Sequence, residues 1–476
     1  MWPFRARPMR QTTDPVLSKD RVWPPAEHEE RLARYERNRR IYRGEHFAVF
    51  THPMRGADHD LDPQCYVTAN IAAQVSHTAS DLLFGEAPRF IADLPEAQRL
   101  IDGLVRENDL ITQLQRAARG QSYRGDAVFK VRWDLGRAVI ECARPDSYFP
   151  VYDPQDPQRL LSVVVAWLVS EEGVRPVGTF WPLRGEPRAV LRMEVHTRGR
   201  IENLAFPYRN GRLGAALDVA DVDAEAAPLV ETGIDEIPLV HIANMQTDDS
   251  GPFGLSDYAF FESIQAELNN RLSQVSSVLD KHADPNMIVP LQALDTRGSF
   301  KAVSQKAWPL DPGDVRPEYV TWDGQLDAAF REIELLKELF FVVSGVSPTT
   351  LGVSRGGASE ESGRAIQLRQ LRTLKWIENK RAAWTHGLKA MFRIAQKLTL
   401  AHSAPDPNAG LPSEPVDVQI LWNDGLPTDR TADIEDAVRG VQGGVMSVET
   451  GIRLAQGLEG EQLAAEEARI RAGAGK

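Results

Sequence analysis

The stretch SDYAFFESIQAELNNRLSQVSSVLDKHA, Ser256–Ala283, decides how this chain is read. Tyr258, Phe261, Ile264, Leu268, Leu272, Val275 and Leu279 recur at intervals of three and four, which puts one apolar stripe along one helix. About 25 residues at about 1.5 Å per residue make a rod of about 37 Å. Asp284-Pro285 stops it, because the residue before a proline is pushed out of helical geometry. Then the texture changes. Met287–Ala293 is strand-like, and a polar, proline-containing stretch runs on to Asp323. Leu326, Phe330, Ile333, Leu336, Phe340 and Val343 repeat the helical spacing. Two rods with a small insertion between them predict a hairpin that carries a head.

Downstream, Ser344-Gly345 ends the second rod. Val346–Ser362 (VSPTTLGVSRGGASEES) reads as a loop, since Gly356-Gly357 inside a helix would cost about 1 kcal/mol per residue. Gly363–Ala401 is a long helix with Ile366, Leu371, Leu374, Ile377, Trp384, Leu388, Met391, Ile394 and Leu398 apolar. Its basic residues, Arg364 through Lys397, read either as a solvated face or as a surface for a neighbouring subunit or DNA. Trp376 and Trp384 read as packing anchors. Val416–Trp422 is a strand, and helices follow near 431–439, 447–454 and 461–471.

Upstream, prolines punctuate the first 25 residues. The charged run His28–Arg37 predicts an exposed, ion-paired helix. Ala69–Leu83 is helical with Asn70 as its cap, and Ile111–Gly120 is helical too. From Ala127 the period becomes two. Ala127–Trp133 and Arg137–Ala143 flank a Leu135-Gly136 turn, and Leu161–Val169, Ala189–Thr197 and Asn203–Tyr208 continue the pattern. Residues 127–245 are therefore mostly antiparallel sheet. The fold class is α+β, with about three domains expected for 476 residues.

Composition narrows the function. The chain is 42% hydrophobic and 26% charged, which is ordinary globular material. A net charge of −12 argues against a broad grip on nucleic acid, which needs clustered cations, but not against a surface that lets nucleic acid slide past. Cys65 and Cys142 are expected to be reduced thiols. MWPFRARPMR lacks the apolar run of a secretory signal, and no apolar stretch is long enough to span a membrane. No Gly-Lys-Ser/Thr occurs in 354–363, so no phosphate-cradling loop is expected there. His46, His52 and His59 with Asp58 and Asp60 read as loop residues rather than a metal set, and His241 as a core or edge histidine. No catalytic residue, metal or cofactor is assigned.

Three segments in order carry a resemblance. FVVSGVSPTTLGVSRGGASEESGRAIQLRQLRTLKWIE, Phe341–Glu378, is similar to the tunnel-loop region of portal proteins of long-tailed bacteriophages. Tyr66–Pro88 resembles that family's Asn-containing helix and Phe/Leu-Gly-x-x-Pro turn. Gly125–Tyr152 resembles its Gly-x-Ala/Tyr-x-x-Lys strand and the Phe-Pro-Val-Tyr segment after it. The likeness runs, with gaps, from about residue 35 to 450, and the order of the segments carries it.

The resemblance implies a portal fold with an α/β wing, a two-helix stem, a small α/β clip, a glycine-rich tunnel loop, a long wing helix and a helical crown. Laid on this chain, it implies an N-terminal arm (1–40) and a wing that is helical and then antiparallel β (41–255). Next come stem helix 1 (256–283), the clip (284–323), stem helix 2 (324–344) and the tunnel loop (345–362). The long helix with the wing strand (363–427) and the crown (428–476) complete it. Ser354, Arg355, Gly356, Gly357 and Ser359 would line the DNA channel. Phe261, Ile264, Leu268, Leu272, Phe330, Ile333, Leu336 and Phe340 would meet neighbouring subunits. The implied assembly is a homo-oligomeric, dodecameric ring in the virion, at one capsid vertex, put together in the host cytoplasm. It would pass double-stranded DNA during packaging and genome ejection. Its implied partners are the terminase packaging motor, a head-completion or adaptor protein, and the major capsid and scaffolding proteins, with no membrane. Two rival readings are another head or neck structural protein, and a hydrolase or nuclease built on 127–245. The second would need a carboxylate or histidine constellation that the sequence does not supply.

Overall fold

The structure is a computed structural model that describes residues 22–50, 66–170, 189–248, 251–283, 287–288, 318–319, 326–352, 363–403, 410–423, 430–456, 458 and 460–473. The chain divides into two compact units: Met1–Val353 with Arg372–Trp422, and Ser354–Leu371 with Asn423–Lys476.

The first unit opens with helices α1 (Glu29–Tyr42), α2 (His46–Phe50) and α3 (Ile71–Phe84). Asn70 caps α3 as expected, accepting a bond from the Ala73 amide at 3.2 Å. The charged helix α1 is not exposed all round: Arg31, Tyr35, Asn38 and Ile41 are buried. Arg31 donates to the carbonyls of Pro145 and Tyr148 at 2.9 and 3.0 Å, so its charge is solvated by backbone rather than by water. Strand β1 (Arg89–Ala92) leads to α4 (Pro95–Glu107) and α5 (Leu110–Arg124).

Strands β2 (Asp126–Asp134) and β3 (Arg137–Ala143) form the expected hairpin. Leu135 and Gly136 both take positive φ, as a tight two-residue turn requires. Strands β4 (Tyr148–Asp153), β5 (Asp156–Ser170), β6 (Ala189–Thr197), β7 (Arg200–Arg209) and β8 (Arg212–Leu213) form an antiparallel sheet in that order. After the short helix α6 (Val219–Val222), β9 (Leu229–Glu231) adds to β7. Strand β10 (Leu239–Ala243) pairs with β2 instead, giving a second sheet of order β10-β2-β3.

Helix α7 (Glu262–Ala283), strands β11 (Met287–Ile288) and β12 (Glu318–Tyr319), and helix α8 (Leu326–Ser344) follow. A 3-10 turn at Asp257–Phe260 precedes α7, so the first rod is shorter than its apolar stripe suggested. Helix α9 (Gly363–His402) is the longest, and β13 (Val418–Leu421) pairs antiparallel with β1. The largest core joins α4, α5, the β10-β2-β3 sheet and the second half of α9. Trp384 is its fully buried centre, with Phe84 edge-on at 4.9 Å and an indole N–H bond to Gln121 Oε1 of 2.8 Å. In the second unit, α10 (Arg430–Gln442), α11 (Val448–Gln456) and α12 (Gly460–Gly473) follow one another, and Ser447 caps α11 through the Thr450 amide.

Candidate functional site

The candidate site is the α7–α8 hairpin and its foot. Two backbones cross where the chain enters it. Gly125 sits at φ 103°, and a Cβ there would fall on the carbonyl oxygen of Gly254; a Cβ on Gly254 would fall on that of Gly125. Only glycine permits both. The Asn244 amide donates to Gly125 O at 2.8 Å and closes the crossing. Just beyond, Lys380 Nζ of α9 lies 2.9 Å from both carboxylate oxygens of Asp257, and both side chains are buried. Asn244 Nδ2 donates to Asp257 at 3.0 Å, its oxygen accepts from Lys380, and Trp376 lies 4.8 Å from the ammonium. Burial draws the Lys380 pKa down, and Asp257 opposes that fall.

A polar ladder holds α7 to the segment before α3. Gln265, Asn269 and Ser273 stand four residues apart and are fully buried. Gln265 accepts from the Ala72 amide at 3.1 Å and donates to Ala69 O at 2.7 Å. Asn269 accepts from the Ala69 amide at 3.1 Å and donates to His46 Nδ1 at 2.7 Å; Ser273 accepts from the Val67 amide at 2.9 Å. These side chains take the place of a neighbouring strand for backbone groups that need partners. Sequence reasoning missed them. Their signal is the Gln-x-x-x-Asn-x-x-x-Ser spacing beside an apolar stripe.

Along the rods, Phe261 packs on Phe340 with ring centroids 4.5 Å apart, while Leu268 and Val275 share a cluster with Ile333. The helices are therefore antiparallel. Arg271 pairs with Glu332 across the hairpin and with Glu267 on its own helix, both at 2.9 Å. The residues expected at subunit contacts divide by burial within the chain. Phe261, Leu268, Ile333 and Phe340 are buried within one chain, and Ile264, Leu272 and Leu336 pack against them. Two adjoining amphipathic helices satisfy each other first. Of the expected set, Phe330 is 48% exposed. Helix α8 also carries a second apolar face: Leu335, Leu339, Val342 and Val343, between 37% and 56% exposed.

Strands β11 and β12 pair through Met287–Tyr319 and Ile288–Glu318 at the hairpin's far end. At the near end, Thr373 of α9 accepts from the Ser347 amide at 2.8 Å and donates to Gly345 O at 3.1 Å. Pro348–Leu351 makes one 3-10 turn there. Ser354, Arg355, Gly356, Gly357 and Ser359 lie outside the described residues, as do Cys65, His52, His59, Asp58 and Asp60.

The basic stripe of α9 is largely engaged by its own chain. Lys389 meets Asp417 at 2.6 Å, Arg393 and Lys397 share Glu236, and Arg381 donates to Leu82 O. His46 is buried with Nε2 2.9 Å from Ile41 O, not in a solvated loop. His241 bonds Asp126 at 2.7 Å from its edge strand. Among the described residues no group of His, Cys, Asp and Glu could hold a metal ion. No helix of these residues is long and apolar enough to cross a membrane.

The family model described as "Phage portal protein, SPP1 Gp6-like" matches residues 23–473. The chain belongs to that portal family. Its α+β fold agrees with that membership. A solved structure titled "Neck of empty GTA particle computed with C6 symmetry" is 14% identical. The match covers 92% of this chain and 95% of that one, with a TM-score of 0.43. No curated protein matches.

Proposed function

We propose that this portal-family chain closes, with other copies of itself, into a dodecameric ring at one capsid vertex. The ring passes double-stranded DNA inward during packaging and outward during ejection. The observation that carries the reading is the second apolar face of α8. Leu335, Leu339, Val342 and Val343 stay exposed among the described residues, and a head-to-tail ring covers such a face in every copy at once. Family membership supplies the context. The residues 284–323 between the rods serve as the clip that meets the packaging motor and, later, the head-tail connector proteins. Residues 345–362 serve as the tunnel loop, with Arg355 toward DNA. The chain's net charge of −12 favours passage over tight holding. The reading assigns no chemical step to the chain.

The test is the mass and rotational symmetry of the purified chain in negative-stain images, for the natural sequence and for Leu335→Glu/Leu339→Glu. Rings with a central hole that the double variant abolishes are expected. A natural chain that stays monomeric, or forms particles without a hole, overturns the reading. For the loop, normal packaging by Arg355→Ala removes its DNA contact.

A further inference from the structure

On the side of the molecule formed by α1, α5 and the end of β3 lies a cavity of 270 Å³. Its walls carry Arg39, Arg43, Arg116, Arg124 and Arg144, against a single carboxylate, Asp126. That carboxylate is taken: it accepts from Tyr35, His241 and the Gly254 amide. Arg39 is held by Glu36 at 2.7 and 2.8 Å, and Arg144 by Asp146 at 3.0 Å. No carboxylate pairs with Arg43, Arg116 or Arg124 among the described residues; Arg124 lies over the Tyr123 ring at 4.5 Å. Tyr42 and Tyr123 stack at 4.7 Å and form another wall.

The guanidiniums outnumber the carboxylates here, and Arg144 lies within reach of the charges of Arg124 and Arg39. Burial draws its pKa down, Asp146 opposes, and Arg124 and Arg39 add to the fall. Gly120 of α5 lies beside Arg124. A Cβ on Gly120 would stand 2.9 Å from Arg124 Nη1, so an alanine there would make the guanidinium move from its present place.

We propose that this cavity binds a phosphate group on the guanidiniums of Arg43, Arg116 and Arg124. Planar guanidinium forks match the oxygens of a phosphate, and each charge-assisted pair is strong. The volume admits one such group with its attached ester. The phosphate comes either from a small phosphorylated molecule or from a nucleic-acid backbone. The site does not depend on the ring or the channel, and its failure would leave both untouched.

The test titrates the full chain with inorganic phosphate at fixed ionic strength, then adds a short DNA duplex as competitor. The variants are Arg116→Ala/Arg124→Ala, Gly120→Ala, and Arg209→Ala as a control on a remote strand. The natural chain and the control should bind alike. The double variant should bind at least about tenfold more weakly, the size of one lost hydrogen bond to a charged group. Gly120→Ala, which keeps every charge but displaces Arg124, should also weaken binding. Displacement of phosphate by the duplex identifies a backbone phosphate; no displacement identifies a small phosphorylated ligand; both support the site. Phosphate that does not bind, or binds the double variant equally well, overturns it. So does a double variant whose sole defect is weaker self-association, since the cavity would then receive a carboxylate from a second copy.

Discussion

Lys380 of α9 and Asp257 at the foot of α7 form a buried ion pair, with both Nζ–Oδ distances 2.9 Å, between elements far apart in sequence. A buried charge is tolerable only while its partner remains. Lys380→Met should therefore destabilise the first unit by about 3–5 kcal/mol, because Asp257 is left buried without its cation. The double change Lys380→Met/Asp257→Leu should recover much of that loss. Urea unfolding of the natural chain and the variants checks both, and equal losses for single and double variants would show the pair is not the source.

The glycine crossing makes a sharper demand. Gly125→Ala must carry a Cβ at φ 103° and against the Gly254 carbonyl; Gly254→Ala meets the mirror obstacle. Each should cost more than about 2 kcal/mol: Gly125→Ala adds about 1–3 of positive-φ strain to its collision, while Gly254→Ala meets backbone alone, at Gly125 O and Asn244 N. Gly136→Ala provides the comparison. That residue also has positive φ, but nothing lies within 4 Å of the added methyl, so the loss should be smaller. The ratio of the losses, measured by thermal unfolding, separates strain from collision.

Much of this architecture was legible because its periods are strong. The rods α7, α8 and α9 follow from apolar residues at threes and fours, and β2, β3, β5, β6 and β7 follow from alternation between turn residues. Burial was less legible. Gln265, Asn269 and Ser273 look like a solvated face, yet they are buried because an extended segment some two hundred residues upstream presents unpaired amides to them. Arg31 reads as surface charge, yet carbonyls from Pro145 and Tyr148 enclose it. The pairing of β1 with β13 joins early and late segments, and a local pattern carries no record of its partner. Phe261 and Phe340 each look unpartnered until the hairpin folds them together.

Trp384 separates volume from hydrogen bonding. It fills the largest core and donates to Gln121, whose amide in turn donates to Ile242 O at 3.0 Å. Trp384→Phe keeps most of the packing but orphans the Gln121 oxygen, at about 1–3 kcal/mol plus a small cavity term. Trp384→Ala should cost about 3–5 kcal/mol. Adding Gln121→Leu to Trp384→Phe should restore part of the loss if the orphaned oxygen matters, and urea midpoints for the set decide it.

Acid should weaken the fold in two stages. His28 is held down to about 4, first by burial and then by the charge of Arg31. Once unfolded, the ring takes up a proton near 6.5, so between 6.5 and about 4 the unfolded chain binds more protons. Stability therefore falls as pH drops through that interval. Burial moves His46 and His196 the same way. Glu194 adds the second stage. Burial would raise its carboxyl, but bonds from His196 and Lys130 outweigh burial and set it at about 2, against 4.5 in its ordinary state. Its contribution, on the order of 3 kcal/mol, is present above pH 4.5 and disappears as pH falls toward 2. Unfolding free energies measured from pH 7 downward should show both slopes. His28→Phe, which suits the neighbouring rings of Phe149 and Phe253 at 5.2 and 5.9 Å, should flatten the upper slope and leave the lower one. Glu194→Gln should remove the lower slope and enlarge the upper loss, because it takes away the carboxylate that props up the His196 pKa; an upper slope unchanged in His28→Phe would mean that this ring protonates in the folded chain as readily as in the unfolded one.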